Sequence, residues 1–363
     1  MDSKTAIQLL EAQRQVWDHS FAYIKTMAVQ SAMELDIPGV VQSHGKPITV
    51  RELGSALKIA PARTPFLARL MRMLAHMGYF VENLKDGDDE TATSYSATLM
   101  CGFLVKDSPF NAATWFLLAN DPIAVDPWRS FGAWIRQPPA AAGDFPFTHA
   151  HNGKKLYEVC RDVPRIAKMM NEGIGRDIWL FSKALLAKCG SHFNGLKSIV
   201  DVGGHTGTIS EDLAEAFPGI HCTVFDLAQV VSPAGDVFQE IPPADAVFLK
   251  EESFFFFFQC MQWVLCDWSD ESCVKILKQA KAAVTSSNGG GKVMIVEMVA
   301  GHQSCSDREA TGTLLYLDMV IMMTVEGKVR TEPQFAKLFS EAGFASYTIT
   351  PVCGLRVLIQ LYP

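Results

Sequence analysis

The stretch over residues 198–226, SIVDVGGHTGTISEDLAEAFPGIHCTVFD, restricts the possible folds most tightly. Ile199, Val200 and Val202 form a short β-branched apolar run of the kind buried in a parallel sheet. Gly203, Gly204 and Gly207 end it, and helical spacing resumes from Ser210 to Phe217. A second apolar strand, over residues 222–225, stops at Asp226. In such a βαβ unit ligands sit beyond the carboxyl ends of the strands, where glycines let them approach the backbone. A carboxylate closing the second strand about 20 residues on suits a ribose diol. The turn reads G-G-x-T-G rather than G-x-G-x-x-G, which weakens a nicotinamide cofactor. A purely structural turn is the alternative.

A chain of 363 residues that is 48% hydrophobic can bury two cores, so two domains are expected. The net charge of −7 gives no general attraction to nucleic acid or anionic membrane. The first residues, MDSKTAIQLLEAQ, lack the charged-then-apolar pattern of a signal peptide, and no apolar run is long enough to span a bilayer. Nine cysteines stand singly, without C-x-x-C pairs or zinc spacing. A cytoplasmic protein with no metal site is expected.

Residues 6–35 carry Ile7, Leu10, Val16, Trp17, Phe21, Ile24, Met27 and Met33 at helical spacing, a face costly to expose and suited to a partner chain. Thr49 and Glu52 form a capping box for a helix over 50–57, and a longer helix follows over 63–77. Residues 79–84 and 94–98 read as a hairpin. Two helices and a hairpin suggest a winged helix. However, residues 1–98 hold 10 Lys/Arg against 11 Asp/Glu with no basic stripe, which argues for dimerisation and a substrate lid over DNA binding. Residues 103–134 are rich in aromatics, 137–147 form a Pro/Ala/Gly loop, and 154–188 are helical. The Met and aromatic stripes read mainly as core, some of them lining an apolar pocket.

Further strands are predicted at 244–250 and 291–297, the latter ending on Glu297. Residues 263–277 begin as a loop and become a helix behind an N-cap at Ser269. Helices over 311–323 and 331–342, the second capped by Thr331, precede an antiparallel pair at 347–350 and 355–361.

The segments ELDIPGVV, RTPFLARLMRML, NEGIGRD, VDVGGHTGT, GDVF, IPPADAVFLK, CDWSDE, GKVMIVE and GKVRTEPQF occur in an order that resembles the plant small-molecule O-methyltransferases acting on phenylpropanoids, flavonoids and stilbenes. The resemblance runs nearly end to end. It implies an α/β fold, with a C-terminal Rossmann-like class I methyltransferase sheet and an N-terminal, mostly helical, winged-helix-like dimerisation domain. The boundaries would be 1–105 for the dimerisation domain and 106–363 for the methyltransferase domain, of which 106–195 is a helical substrate-binding part and 196–363 the core. It also implies a homodimer, S-adenosylmethionine as cofactor and a phenolic substrate.

By the same resemblance, Gly203 and Gly204 pack on the methionine part of the cofactor, Asp226 and Leu227 meet the ribose side, and Asp236 and Val237 flank the adenine. Lys250 completes the cofactor site. Ile174, Trp263, Asp267, Met319 and Met323 face the substrate. Cys266 occupies the position of the family's histidine base, with Glu297 and Glu332 as the steering acids.

A base is wanted because a phenol of pKa near 10 is only about 0.1% phenolate at pH 7, a deficit of about 4 kcal/mol. Cysteine departs from that need, since it accepts a proton only as thiolate. An impaired enzyme, or a homologue that only dimerises or binds cofactor, is the resulting alternative. Two further departures adjoin it. Residues 251–262, EESFFFFFQCMQ, interrupt the junction between Lys250 and Trp263. Five phenylalanines in a row have no binding logic and favour aggregation. Their pyrimidine-rich codons before a glutamine resemble an intron's tract and acceptor, so the segment reads as retained intron. Only 19 residues separate Asp226 from Ala246, too few for the usual βαβ unit, so residues 231–235 mark a deletion at the adenine end. His205, in place of a small residue, is expected at the surface.

Overall fold

A computed structural model of the chain describes residues 2–83, 90–138, 143–226, 258–285, 291–303 and 307–363. The chain divides into two compact units, Met1–Asp121 and Pro122–Pro363.

In the first unit, strands β1 (Ile48–Thr49), β2 (Phe80–Asn83) and β3 (Ser94–Ala97) form an antiparallel sheet in the order β1-β3-β2. The hairpin of β2 and β3 follows the sequence, whereas β1 was not foreseen because two residues give no periodicity. Thr49 caps the helix Val50–Ala56, its hydroxyl accepting from Glu52 N–H while the Glu52 carboxylate accepts from Thr49 N–H at 2.8 Å. The core is built on Ala32, Val50, Leu53, Met71 and Leu74, all fully buried. The apolar stretch at 6–35 is not one helix. It breaks at Phe21–Ala22 into Ser3–Ser20 and Tyr23–Glu34, and the first of these buries no residue. Ile7, Leu10, Val16 and Trp17 are each more than half exposed in the single chain.

In the second unit, strands β4 (Ser198–Val202), β5 (His221–Phe225), β6 (Phe258–Gln262), β7 (Lys292–Ala300), β8 (Arg330–Thr331), β9 (Ser346–Cys353) and β10 (Arg356–Tyr362) form a sheet ordered β5-β4-β6-β7-β10-β9, with β8 beside β7. β5, β4, β6, β7 and β8 run parallel, while β10 runs antiparallel to both neighbours. Buried on both faces, β7 reads as a continuous apolar run. Val293 and Ile295 pack under the helices Asp270–Thr285 and Glu332–Glu341; Met294 and Val296 pack under Pro164–Cys189 and Thr208–Ala216. The long predicted helix at 154–188 is split before Pro164, whose ring disfavours helix in the preceding residue.

Two expectations change. β7 does not end at Glu297 but continues to Ala300, because pairing with β10 and β8 extends it. The strand predicted at 244–250 lies outside the described residues, as does most of the Phe-rich segment. The place between β4 and β7 is filled by Phe258–Gln262, the tail of that segment.

Arg330, fully buried, fastens the turn that follows β6. Its guanidinium donates to the carbonyls of Leu265 and Trp268, each at 2.7 Å, and to the Asp270 carboxylate at 2.9 Å. Replacing Arg330 by Met leaves those carbonyls only the Cys273 thiol and, for Leu265, the Trp268 N–H, and leaves the Asp270 carboxylate without the guanidinium. Urea unfolding of the variant is expected to show a loss of at least about 2 kcal/mol; a loss within a few tenths would mean the turn is held by packing alone.

Candidate functional site

The glycine turn opens where β4 ends. Gly203 has φ of 72° and Gly207 of 90°, the left-handed region open to glycine at little cost. The Gly203 N–H donates to the Phe225 carbonyl at 2.8 Å, tying the turn to the end of β5. A Cβ at Gly203 would meet Val264 at 2.8 Å, and one at Gly204 would meet Asp201 at 2.7 Å. Packing inside the fold therefore demands glycine at both positions. Asp201 is buried and accepts from the Ser210 hydroxyl at 3.1 Å; burial pushes its carboxyl up to about 7. Asp226 lies at the rim and accepts from the His205 N–H at 2.8 Å.

His205 is not at the surface. It is 7% exposed, in the left-handed conformation at φ 53°, with its ring against Gly175 of the helix Pro164–Cys189. The local sequence gives no hint of this, since the covering helix comes from 30 residues upstream.

The second half of the site is the turn after β6. Trp263 also has positive φ, 52°, and its N–H donates to the Val296 carbonyl at 3.0 Å. Its ring lies 4.3 Å from the guanidinium of Arg356, which the Asp177 carboxylate anchors at 2.7 Å. Cys266 follows in the short helical turn Leu265–Asp267 and is buried. Its N–H donates to Glu297 Oε1 at 3.0 Å, and its thiol donates to Asp267 Oδ1 at 3.8 Å. Gly327 sits so close that a Cβ there would fall 1.7 Å from the Cys266 carbonyl oxygen.

This turn is electrostatically one-sided. Burial first, then the Glu297 and Asp267 carboxylates, raise the Cys266 thiol well above its ordinary value. Burial raises Asp267 to about 6, the Cys266 thiol partly opposing it. Glu297, with no exposed surface, is raised to about 7 by burial, against the lowering effect of the Cys266 and Met298 N–H groups.

Cys266, Asp267, Glu297 and Trp263 therefore come together, whereas Glu332 is exposed and accepts from the Tyr347 hydroxyl at 3.2 Å. The helix Arg308–Thr324 packs Leu314 and Ile321 against Cys266, with Leu317 behind them. Met319, exposed, and Met323, buried, are not in that cluster. Ile174 is half-buried one residue before the glycine that touches His205. Leu227, Asp236, Val237 and Lys250 lie outside the described residues. Sequence reasoning missed Arg330 and Arg356.

Residues 128–345 match the O-methyltransferase domain model, and residues 17–107 match the O-methyltransferase dimerisation domain. The trans-resveratrol di-O-methyltransferase of Vitis vinifera is 37% identical, over 98% of this chain and 97% of that protein. The isoflavone 4'-O-methyltransferase of Glycyrrhiza echinata is 37% identical over the same shares. Among solved structures, human N-acetylserotonin methyltransferase in complex with SAM superposes with a TM-score of 0.72 over 97% of both chains at 16% identity. A methyltransferase of calicheamicin biosynthesis, SAH-bound, gives 0.72 over 100% of this chain and 99% of that one at 19% identity. Those two share the fold.

The Glu297 shift sets a pH dependence. Its carboxyl titrates at about 7 folded against 4.5 as the ordinary value. The stability associated with the protonated side chain is full below 4.5 and is lost as pH rises through about 7. Relative to Glu297→Gln, the native protein should therefore lose on the order of 3 kcal/mol between pH 4.5 and 8 in urea titrations. A difference that stays constant across this range would show that Glu297 does not titrate there.

Proposed function

The chain belongs to the O-methyltransferase family, and we propose that it methylates a hydroxyl of a plant phenolic with Asp267, rather than residue 266, receiving the proton. It is an S-adenosylmethionine-dependent O-methyltransferase. The phenolic class rests on relatives named for resveratrol, an isoflavone and 8-hydroxyquercetin, all matched along nearly their whole length. The dimerisation domain and the exposed face of Ser3–Ser20 support a homodimer, with residues 1–105 as the dimerising, winged-helix-like part. No helix among the described residues is long and apolar enough to cross a membrane, which is compatible with a cytoplasmic place.

The glycine turn at the carboxyl end of β4 suits an organic cofactor, and Asp226 at the end of β5 suits its ribose. Leu227, Asp236, Val237 and Lys250 would complete that site, and Ile174, Trp263, Met319 and Met323 would line the acceptor's pocket. When bound, the cofactor supplies an electrophilic methyl on sulfur, so the chain's own task is to orient the phenol and take its proton. The Cys266 thiol, protonated at neutral pH and donating to Asp267, cannot take it. Glu297 cannot either, since its oxygens face the N–H groups of Cys266 and Met298; it positions the turn. Glu332, turned to Tyr347, is assigned no part in the proton transfer. Asp267, half-buried and at about 6, is ionised at pH 7 yet more basic than an ordinary carboxylate. The observation that carries this reading is the thiol held protonated between two carboxylates.

Purified protein supplied with S-adenosylmethionine and a panel of flavonoid, stilbene and phenylpropanoid phenols should yield singly methylated products by mass spectrometry. Cys266→His should raise kcat/KM by roughly 10²-fold or more, and Asp267→Asn should abolish turnover in the parent. A histidine variant no faster than the parent would overturn the assignment of position 266 as the vacated base.

A further inference from the structure

Trp263 is an indole in a place that suits glycine. Its φ of 52° strains a bulky residue, and only its N–H bond to the Val296 carbonyl ties its backbone to the sheet. The side chain is half-buried and packs against the cluster of Cys266, Met298, Leu314 and Ile321. Part of the ring therefore stays open beside the residue at the centre of the acceptor turn. An indole so placed needs something to fix its orientation.

Arg356, the first residue of β10, supplies it. Its Cζ lies over two rings, 4.3 Å from the centroid of Trp263 and 4.9 Å from that of Phe181, both within the reach of a cation–π attraction. Its Nη2 donates to Asp177 Oδ1 at 2.7 Å and also reaches Oδ2. Asp177 and the buried Phe181 stand one turn apart on the helix Pro164–Cys189, so the guanidinium is clamped to an element anchored in the core. The Arg356 side chain is 15% exposed, and its Nε has no hydrogen-bond partner among the described residues. An arginine placed for hydrogen bonds alone would satisfy that donor, whereas this one lies flat on rings.

We propose that Arg356 is a positioning residue for the acceptor, holding the Trp263 indole in one orientation so that the open part of the ring is a fixed wall for the phenol. The proposal rests on the reading above that Trp263 lines the acceptor's pocket. Arg356 acts through the indole and has no part in the proton transfer. Its loss loosens the wall, and the phenol is weakened more than the cofactor.

Steady-state kinetics with resveratrol, quercetin and caffeic acid, calorimetry with S-adenosylhomocysteine and acrylamide quenching of tryptophan emission test it together. Arg356→Met keeps the apolar stem and removes the cation. It should raise KM for the phenol roughly five- to thirtyfold, with a smaller fall in kcat and with S-adenosylhomocysteine bound as by the parent. The emission lost on Trp263→Phe isolates the Trp263 contribution, and that contribution should become more open to quenching in Arg356→Met. In a Trp263→Leu background Arg356→Met should add nothing to KM, because no indole is left to hold. Asp177→Asn, at a half-buried position, should move KM and quenching the same way, and it carries the test if Arg356→Met does not fold. Unchanged KM and quenching in folded variants, equal losses for phenol and S-adenosylhomocysteine, or additive effects in the Trp263→Leu background would overturn the proposal. A Trp263→Leu variant with the parent's KM, or a folded parent that methylates none of the three phenols, would instead overturn the acceptor reading, and the role of Arg356 with it.

Discussion

The acceptor half of the site depends on one buried carboxylate. Glu297 sits in the centre of the sheet, between β6 and β10, with no exposed surface, and is tolerable there because backbone N–H groups reach it. Its hydrogen bond to the Cys266 N–H fixes the turn after β6, and Arg330 fixes the same turn from the opposite side through two carbonyls. Gly327 then closes on the Cys266 carbonyl with no room for a side chain. The turn is built to hold one side chain in one place.

That framework has a sign. Carboxylates on either side of residue 266 favour a cation there and oppose an anion. An imidazole in this setting would be held ready to gain a proton. A thiol in the same setting is driven the other way, because its useful form is the anion that Glu297 and Asp267 repel. The electrostatics that would sharpen a histidine base therefore disable a cysteine, while burial separately raises Asp267 to about 6, toward the range where it can act itself.

Much of the fold was legible because its signals are periodic or local. The glycine turn, the strands at 198–202 and 221–225, the Thr49 capping box and the closing antiparallel pair each depend on residues adjacent in sequence. What could not be read depends on distant chain. His205 looks like a polar residue in a turn until a helix from upstream covers it. Arg330 looks like a solvated neighbour of a helix cap, yet it is buried by carbonyls some sixty residues earlier. The sequence reads as a strand over 244–250 with 251–262 as an insertion, yet Phe258–Gln262 pairs beside β4, a place decided by partner strands distant in sequence. Glu332 shares its family motif with Arg330, but being first in its helix it is turned toward β9, where Tyr347 meets it.

The ligand-bearing edge of the sheet is also where the described chain carries its local costs. Among the described residues five that are not glycine have positive φ; Asp36, Lys58 and Asn152 occupy ordinary turns, whereas His205 and Trp263 follow the adjacent strands β4 and β6. At that same edge His205 Nε2, Gln262 Oε1 and Trp263 Nε1 are buried without hydrogen-bond partners among the described residues. A fold under no functional demand would relax such residues to glycine or expose the polar atoms. Strain and unsatisfied groups meeting at the carboxyl ends of two neighbouring parallel strands are what a sheet accumulates when its edge is shaped for a ligand rather than for stability.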